Sequence, residues 1–429
     1  MGQGAPGNEP HAPAGEHLRA ALVPAVSGAA HQAVAHGFSR YDAAVIYLDN
    51  NATTRPTPEV VAEVARACTD LWANPSSVHR GGQAVRHAVE LARAEVAGLI
   101  GVRPREVTFT SGGTESIHLA LRGVLERATK PVLVTTKVEH AAVRELAEQM
   151  DKSGRVEVRW APLAAAGVVD MERLGPLLDG ATLASVQWVN NETGVIQPVE
   201  ELAEVCARAG ALFHCDATQW VGKMPTEVGS GGPRFDLMSF SAHKWHGPKG
   251  VGILWARPGV GLKATMPGSQ ELGRRGGTEN VPGILGAGVA ARQARKWLAD
   301  APARKRAAGL RDRFEDRLRA ACAGTCPPAV VNGADAACGR IWTTSNIGFS
   351  RLEAEALLIL LSERGLCASA GAACSSGSLD PSPVLLAMGV PSEVAHGSVR
   401  FSLSRDTSEA EIDEAVTIVA GCVERLARM

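Results

Sequence analysis

The sequence predicts an α/β protein: a mostly parallel sheet covered by helices on both faces, followed by a smaller α+β domain. Three observations predict it. From Ile46 onward, short β-branched runs alternate with amphipathic helical stretches. That alternation ends in a long Ala- and Arg-rich helical stretch, from about Val281 to Ala321, that reads as a connector. A separate set of strands and helices follows between about 325 and 429.

Residues 1 to about 45 stand apart in composition. They are rich in Ala, Gly, Pro and His, and include His11, His17, His31 and His36 of the chain's 12 His. The His spacings match no metal-binding pattern. The segment reads as a mobile tail with at most one short helix around Leu18–Ala25. Val107–Thr110 then reads as a strand, Glu115–Arg127 as a helix, Val132–Thr135 as a strand and Ala141–Met150 as a helix. Leu183–Val189, Ala211–Cys215, Phe235–Phe240 and Gly250–Trp255 read as further strands, with a helix at Val199–Ala209. In the last part Ser345–Phe349 and Ser398–Ser402 read as strands, Glu353–Ser362 and Ser408–Arg425 as helices. Open sheets of this kind bind ligands at the carboxyl ends of their strands.

Length and composition narrow the function classes. A chain of 429 residues is expected to hold two to three domains at ~150 residues each. Lys plus Arg number 44 against 45 Asp plus Glu, and no polybasic run occurs. A nucleic-acid or anionic-membrane partner therefore has no electrostatic footprint. Apolar runs such as Leu357–Leu361 fall far short of the ~20 residues that span a bilayer. Nine Cys, an odd number, are too sparse for a disulfide scaffold and fit a reduced, cytoplasmic compartment. No secretory signal is apparent, and Glu9 and Glu16 argue against a mitochondrial transit peptide.

Five motifs carry chemistry. Thr110-Ser111-Gly112-Gly113-Thr114-Glu115-Ser116 joins a strand to a helix. Glycines there permit a tight turn, and the helix N-terminus offers free N–H groups to a phosphate. The plain alternative is a capped turn. Phe213-His214-Cys215-Asp216-Ala217-Thr218-Gln219 ends an apolar strand in an acid. A buried carboxylate needs a partner, such as a pyridinium N–H; an exposed loop Asp is the alternative. Ser239-Phe240-Ser241-Ala242-His243-Lys244 places a Lys at a strand end. It is a Schiff-base candidate if burial or neighbouring charge lowers its pKa, and an ordinary surface Lys otherwise. Ala368 to Ser378 is a run of Gly, Ser and Ala around Cys374. A thiol on a mobile loop can travel to a bound substrate; a bystander Cys is the alternative. His396-Gly397-Ser398-Val399-Arg400-Phe401-Ser402 reads as a strand bearing Arg400, suited to bidentate carboxylate capture or simply exposed at an edge.

Together and in this order, the five motifs resemble the cysteine desulfurases, pyridoxal-phosphate enzymes of the class V aminotransferase group, and in wording the nitrogen-fixation type. Tyr47-Leu48-Asp49-Asn50-Asn51-Ala52-Thr53-Thr54, Asn74-Pro75-Ser76-Ser77, Val138-Glu139-His140, Asn190 to Gly194 and Arg275 to Asn280 match as well. The resemblance runs from Tyr47 to about Leu426. It implies the type I aminotransferase-like fold. A large domain (58–302) would hold a mostly parallel seven-stranded sheet. A small α+β domain (46–57 with 303–429) would carry the Cys loop, and 1–45 would be an extension.

The resemblance also implies roles. Lys244 would form the internal aldimine with pyridoxal 5'-phosphate. Asp216 would pair with the pyridine nitrogen, Gln219 would reach the ring hydroxyl, and His140 would stack on the ring and serve in proton transfer. Gly113, Thr114, Ser241 and His243 would hold the phosphate. Thr278 would reach the phosphate of a neighbouring subunit, so a homodimer is expected. Asn191 and Arg400 would bind the carboxylate of L-cysteine, with Asn191 also beside the cofactor. Cys374 would be the nucleophile that keeps the persulfide, passes sulfur to an acceptor such as an iron–sulfur scaffold, and transiently shares a cluster with it. A selenocysteine lyase on the same fold and a non-catalytic scaffold are the competing readings.

Three departures stand out. Ala242 replaces the family's usual Gly, which is harmless only if φ there is ordinary. The chain stops at Met429, where relatives run on into a tail that helps dock a scaffold. The N-terminal extension has no assigned role. Among the other cysteines, Cys322, Cys326 and Cys338 lack common zinc spacing. Cys68, Cys206 and Cys422 read as packing residues, and Cys215 and Cys367 carry no role.

Overall fold

The structure, a computed structural model, describes residues 1–2, 45–229, 232, 234–324, 328–371 and 380–428. Residues 46–429 cluster as one compact unit. Its first eight strands are β1 (Ile46–Tyr47), β2 (Val107–Thr110), β3 (Val132–Thr135), β4 (Glu157–Trp160), β5 (Leu183–Gln187), β6 (Leu212–Asp216), β7 (Leu237–Ser241) and β8 (Gly252–Ala256). Seven of them form one sheet in the order β2-β8-β7-β6-β5-β3-β4. Only β8 runs antiparallel to its neighbours β2 and β7; the other pairings are parallel. The fold class read from the sequence is thus the one observed.

Side-chain alternation explains why both faces of this sheet are covered. Val132 and Val134 of β3 join one core with Val186, Phe213 and Phe240, while Leu133 joins another with Leu183, Leu237 and Leu254. The second core is closed by the helices Gly113–Leu125 and Ala141–Lys152. The first is closed in part by the helices Arg80–Leu99 and Val281–Ala299. Phe240 is completely buried, and truncating such a side chain to Ala typically costs ~3–5 kcal/mol.

The remaining strands are β9 (Ala329–Val331), β10 (Thr344–Phe349), β11 (Leu366–Cys367), β12 (Ser369–Ala370) and β13 (Ser398–Ser402). They form an antiparallel sheet β12-β13-β10-β9 and a short parallel pair β1-β11. The chain leaving β1 runs beside the end of β13: Ser402 N donates to Leu48 O at 2.6 Å, and Asn50 N donates to Ser402 O at 3.2 Å. This brings the Asn50-Asn51 pair to the region where the two sheets meet the site.

Several expectations need correction. The connector from Val281 to Ala321 is two helices, Val281–Ala299 and Ala301–Ala321, broken at Asp300. Asp300 caps the second helix by accepting from Ala303 N at 2.9 Å, and Pro302 sits in its first turn, where the missing N–H costs nothing. Strand β4 was not expected, because its Glu157 and Arg159 mask an edge strand paired on one side only. The helices Pro58–Asp70 and Arg80–Leu99 were not expected either. Cys68 is exposed rather than packed: Ala67 faces the core, and the next helical position turns ~100° away. Cys206 and Cys422 are buried. Cys326 lies outside the described residues.

Ala242 has no positive φ, so its methyl group strains nothing. Gly252 is a different case. A Cβ there would lie 2.2 Å from Gly112 O, so only glycine lets β8 pass the turn before the helix Gly113–Leu125. Among the described residues, no helix is long and apolar enough to cross a membrane.

Candidate active site

Strand ends converge on one cavity of about 370 Å³. β6 ends in Asp216, β7 ends in Ser241 and leads to His243 and Lys244, and β5 ends in Gln187. The helix Gly113–Leu125 starts at the cavity with Gly113 and Thr114. That start is two residues earlier than expected, so the first turn's unpaired N–H groups lie at the wall. Glu115 fixes this end by accepting from Ser111 N at 2.7 Å and pairing with Arg275 at 2.9 Å.

Ten of the residues expected at the site line the cavity: Gly113, Thr114, His140, Asn191, Asp216, Gln219, Ser241, His243, Lys244 and Arg400. Thr278 does not; it is exposed. Cys374 lies outside the described residues, but Gly371, three positions before it, reaches the cavity wall.

Asp216 is buried, and its Oδ1 accepts from Thr218 N at 3.1 Å and Thr218 Oγ1 at 2.6 Å. Beneath it, His214 bridges two hydroxyls, Ser185 Oγ at 2.8 Å and Ser239 Oγ at 3.0 Å. Burial pulls the His214 imidazole down to about 4, against the opposing charge of Asp216. His140 caps the helix Ala141–Lys152, its Nδ1 accepting from Ala142 N at 3.1 Å. Burial lowers its pKa; Asp216 acts upward and Lys244 downward. With Nδ1 an acceptor, the proton of the neutral ring sits on Nε2. His243 is pulled down to about 3, first by burial and then by Lys244, Lys249 and Lys223.

Lys244 Nζ donates to the main-chain carbonyls of Asn51 at 2.5 Å and Ala52 at 2.9 Å. Gln219 Nε2 donates to the same Asn51 carbonyl at 3.1 Å. Asn51 Nδ2 in turn donates to Asn191 O at 3.1 Å. The opening segment therefore ties the Lys, the Gln and the Asn191–Arg400 side of the cavity together.

On that side, Arg400 is almost fully buried on β13. It pairs with Asp49 at 2.9 Å and donates to Asn191 O at 3.1 Å. Among the described residues, the buried atoms Arg400 Nε and Asn191 Oδ1 have no hydrogen-bond partner. A planar cation at the cavity wall is suited to a carboxylate.

Asn51, Glu139 and Glu192 are site residues that were not expected, although all three stand in motifs that carry the resemblance. Glu139 is completely buried, and its carboxyl is pushed well above the usual range by burial. It accepts from Thr136 Oγ1 and Gln187 N, each at 2.8 Å. Glu192, raised by burial too, accepts from Ser382 Oγ at 2.6 Å. Both stand in polar turns, Thr136 to His140 and Asn190 to Gly194, where an acid ordinarily faces solvent.

Comparison with known proteins follows the same lines. The family model for class-V aminotransferases matches residues 46–415. Cysteine desulfurase 2 of Trichormus variabilis is 44% identical over 385 residues, 89% of this chain and 94% of its own. The cysteine desulfurase of Bradyrhizobium diazoefficiens is 45% identical over 391 residues, 89% and 95% of the two chains. Among solved structures, a NifS-like protein superposes with a TM-score of 0.80 at 35% identity, covering 88% of this chain and 99% of its own. SspA in complex with cysteine superposes with a TM-score of 0.70 at 29% identity, covering 83% and 98%. With a family model spanning most of its length and relatives this similar end to end, the chain belongs to the class-V aminotransferase family.

Proposed function

We propose that this chain is a cysteine desulfurase. It takes sulfur from L-cysteine, releases L-alanine and leaves a persulfide on Cys374. The balance is L-cysteine plus the Cys374 thiol giving L-alanine plus the Cys374 persulfide. The observation that carries the reading is the cavity itself: Lys244, Asp216, His140 and the N-terminus of the helix Gly113–Leu125 share it with Arg400 and Gly371. The relatives named above as cysteine desulfurases support it.

The donor set fits pyridoxal 5'-phosphate. Asp216 offers a carboxylate to a pyridinium N–H, Gly113 and Thr114 offer helix N-terminal N–H groups to a phosphate, and Lys244 offers an amine to an aldehyde. When bound, the cofactor supplies the electron sink. The chain's own residues do the rest. Thr218 holds the Asp216 carboxylate in place. His140, with a neutral imidazole, would lie against the ring, and Ser241 and His243 would complete the phosphate cradle. Arg400 and the Asn191 amide orient the substrate carboxylate, and Lys244 Nζ moves the α-proton. Cys374 attacks the substrate sulfur as a thiolate.

The reading extends to assembly and partners. Residues 58–302 serve as the large domain, and 46–57 with 303–429 as the small one. Trp72 and Val78 are 81% and 88% exposed. Apolar side chains this exposed suit an interface, here with a second copy whose Thr278 reaches the neighbouring phosphate. Among the described residues Cys68, Cys206, Cys215, Cys338, Cys367 and Cys422 form no disulfide, which suits a reducing cytoplasm. The persulfide passes to an acceptor protein such as an iron–sulfur scaffold, with Cys374 a transient cluster ligand.

The test is alanine formation from L-cysteine by cofactor-loaded wild type beside Cys374→Ala. Turnover lost in the variant, with the visible cofactor band retained, is the expected result. Equal turnover in both removes Cys374 from the chemistry and overturns the persulfide step.

A further inference from the structure

Lys223 is a buried lysine, 5% exposed, in the turn that follows Gln219. Among the described residues it forms no salt bridge. Its Nζ donates instead to Gln219 Oε1 at 2.5 Å and to Asn51 Oδ1 at 3.2 Å. Burial drives its pKa well below that of a free lysine, and the nearby positive charges of Lys244 and Arg400 push the same way. Burying an amine without a carboxylate costs stability, so its presence here calls for a use.

The geometry supplies one. A carboxamide can rotate by half a turn and exchange its donor for its acceptor at nearly equal energy. The Lys223 donor removes that freedom, because it satisfies the Gln219 oxygen. The Gln219 nitrogen is thereby directed to Asn51 O at 3.1 Å and to the cavity. Asn51 is held the same way, through its own side-chain oxygen, and its main-chain carbonyl is the acceptor of Lys244.

We propose that Lys223 is a positioning residue that fixes the Gln219 carboxamide so that its N–H, not its oxygen, faces the ring oxygen of the cofactor. This rests on the cofactor reading above. A donor at the ring oxygen favours the unprotonated form of the Lys244 nitrogen. Losing that donor therefore raises the pH at which the loaded protein's visible band titrates.

The experiment compares that band's pH midpoint in cofactor-loaded wild type, Lys223→Met, Gln219→Ala and the double variant, with thermal melting as the folding control. Lys223→Met is expected to keep a full band and raise the midpoint by about one unit. In the Gln219→Ala background it should move the midpoint no further. An unchanged midpoint in Lys223→Met overturns the proposal, and so does an equal shift with Gln219 absent, which would mean charge acting directly on Lys244. Should Lys223→Met fail to fold, Lys223→Gln carries the test, because it keeps an N–H donor without charge. Its midpoint should stay near wild type, and a rise overturns the proposal. No visible band in wild type would instead remove the cofactor reading, and this inference with it.

Discussion

Arg400 Nη1 donates to the main-chain carbonyl of Asn191 at 3.1 Å, and each residue keeps one buried polar atom, Arg400 Nε and Asn191 Oδ1, without a hydrogen-bond partner among the described residues. Native interiors leave few such groups unpaired. Both residues line one cavity, which places a planar cation and an amide where a substrate carboxylate can be held. Arg400→Lys keeps a cation for Asp49 but discards the planar fork. A charged hydrogen bond is worth ~1.5–3 kcal/mol, so kcat/KM for L-cysteine should fall about 10- to 100-fold, chiefly through KM. Steady-state kinetics beside an unchanged visible band check this.

Gly371 and Glu192 make a second close relationship. A Cβ at Gly371 would stand 2.2 Å from Glu192 Oε2, and that oxygen is already held by Ser382 Oγ at 2.6 Å. Gly371→Ala should destabilise the fold by ~1–3 kcal/mol, the usual cost of overpacking. Alanine formation should slow as well, because Gly371 leads toward Cys374. A denaturant melt reads the first effect. Pairing the variant with Glu192→Ala should recover part of the loss if the clash is its cause.

His214 makes stability pH-dependent. Its folded pKa is about 4, below the ~6.5 of an unfolded His. Between these values the unfolded chain takes up a proton that the folded chain refuses. The contribution is therefore fully present above pH 6.5 and is lost as pH falls toward 4, by roughly 3 kcal/mol in all. His243, pulled down to about 3, acts in the same direction. His214→Gln should flatten the fall in melting temperature between pH 6.5 and 4, and an unchanged slope would remove His214 as a source.

Ala242 has ordinary backbone torsions, so Ala242→Gly should leave the desulfurase rate unchanged. It should lower stability by ~0.5–1 kcal/mol, the entropic cost of an added glycine. Kinetics and a melt on the same sample check both halves.

Much of this site is legible in the amino-acid sequence. The strands bearing Asp216 and Ser241 are short, largely apolar runs buried along almost their whole length, and the one bearing Arg400 shows itself by the alternation of Val399 and Phe401 with polar neighbours. Lys244, Asp216 and Cys374 stand in motifs whose order along the chain is itself informative. Asn51 is legible only as part of a motif, because its role comes from main-chain contacts with Lys244 and Gln219 that no spacing encodes. Lys223 is invisible as a site residue, since a lysine in a turn ordinarily faces solvent. β4 is hidden because an edge strand tolerates charges that a central strand excludes.

Local pattern along the chain is enough to specify the α/β architecture, the family and the chemical types at the cavity. Hydrophobic period, glycine turns and reactive side chains are properties of neighbouring residues. Which of those side chains share an atom is settled by the folded arrangement alone. Asn51 and Lys244 are 193 positions apart, and Asp49 and Arg400 are 351. They meet because β1 pairs with β11 and the chain beyond it lies along β13. Contacts across such separations depend on sheet register and burial, which cooperate over the whole fold and leave no mark at any single position.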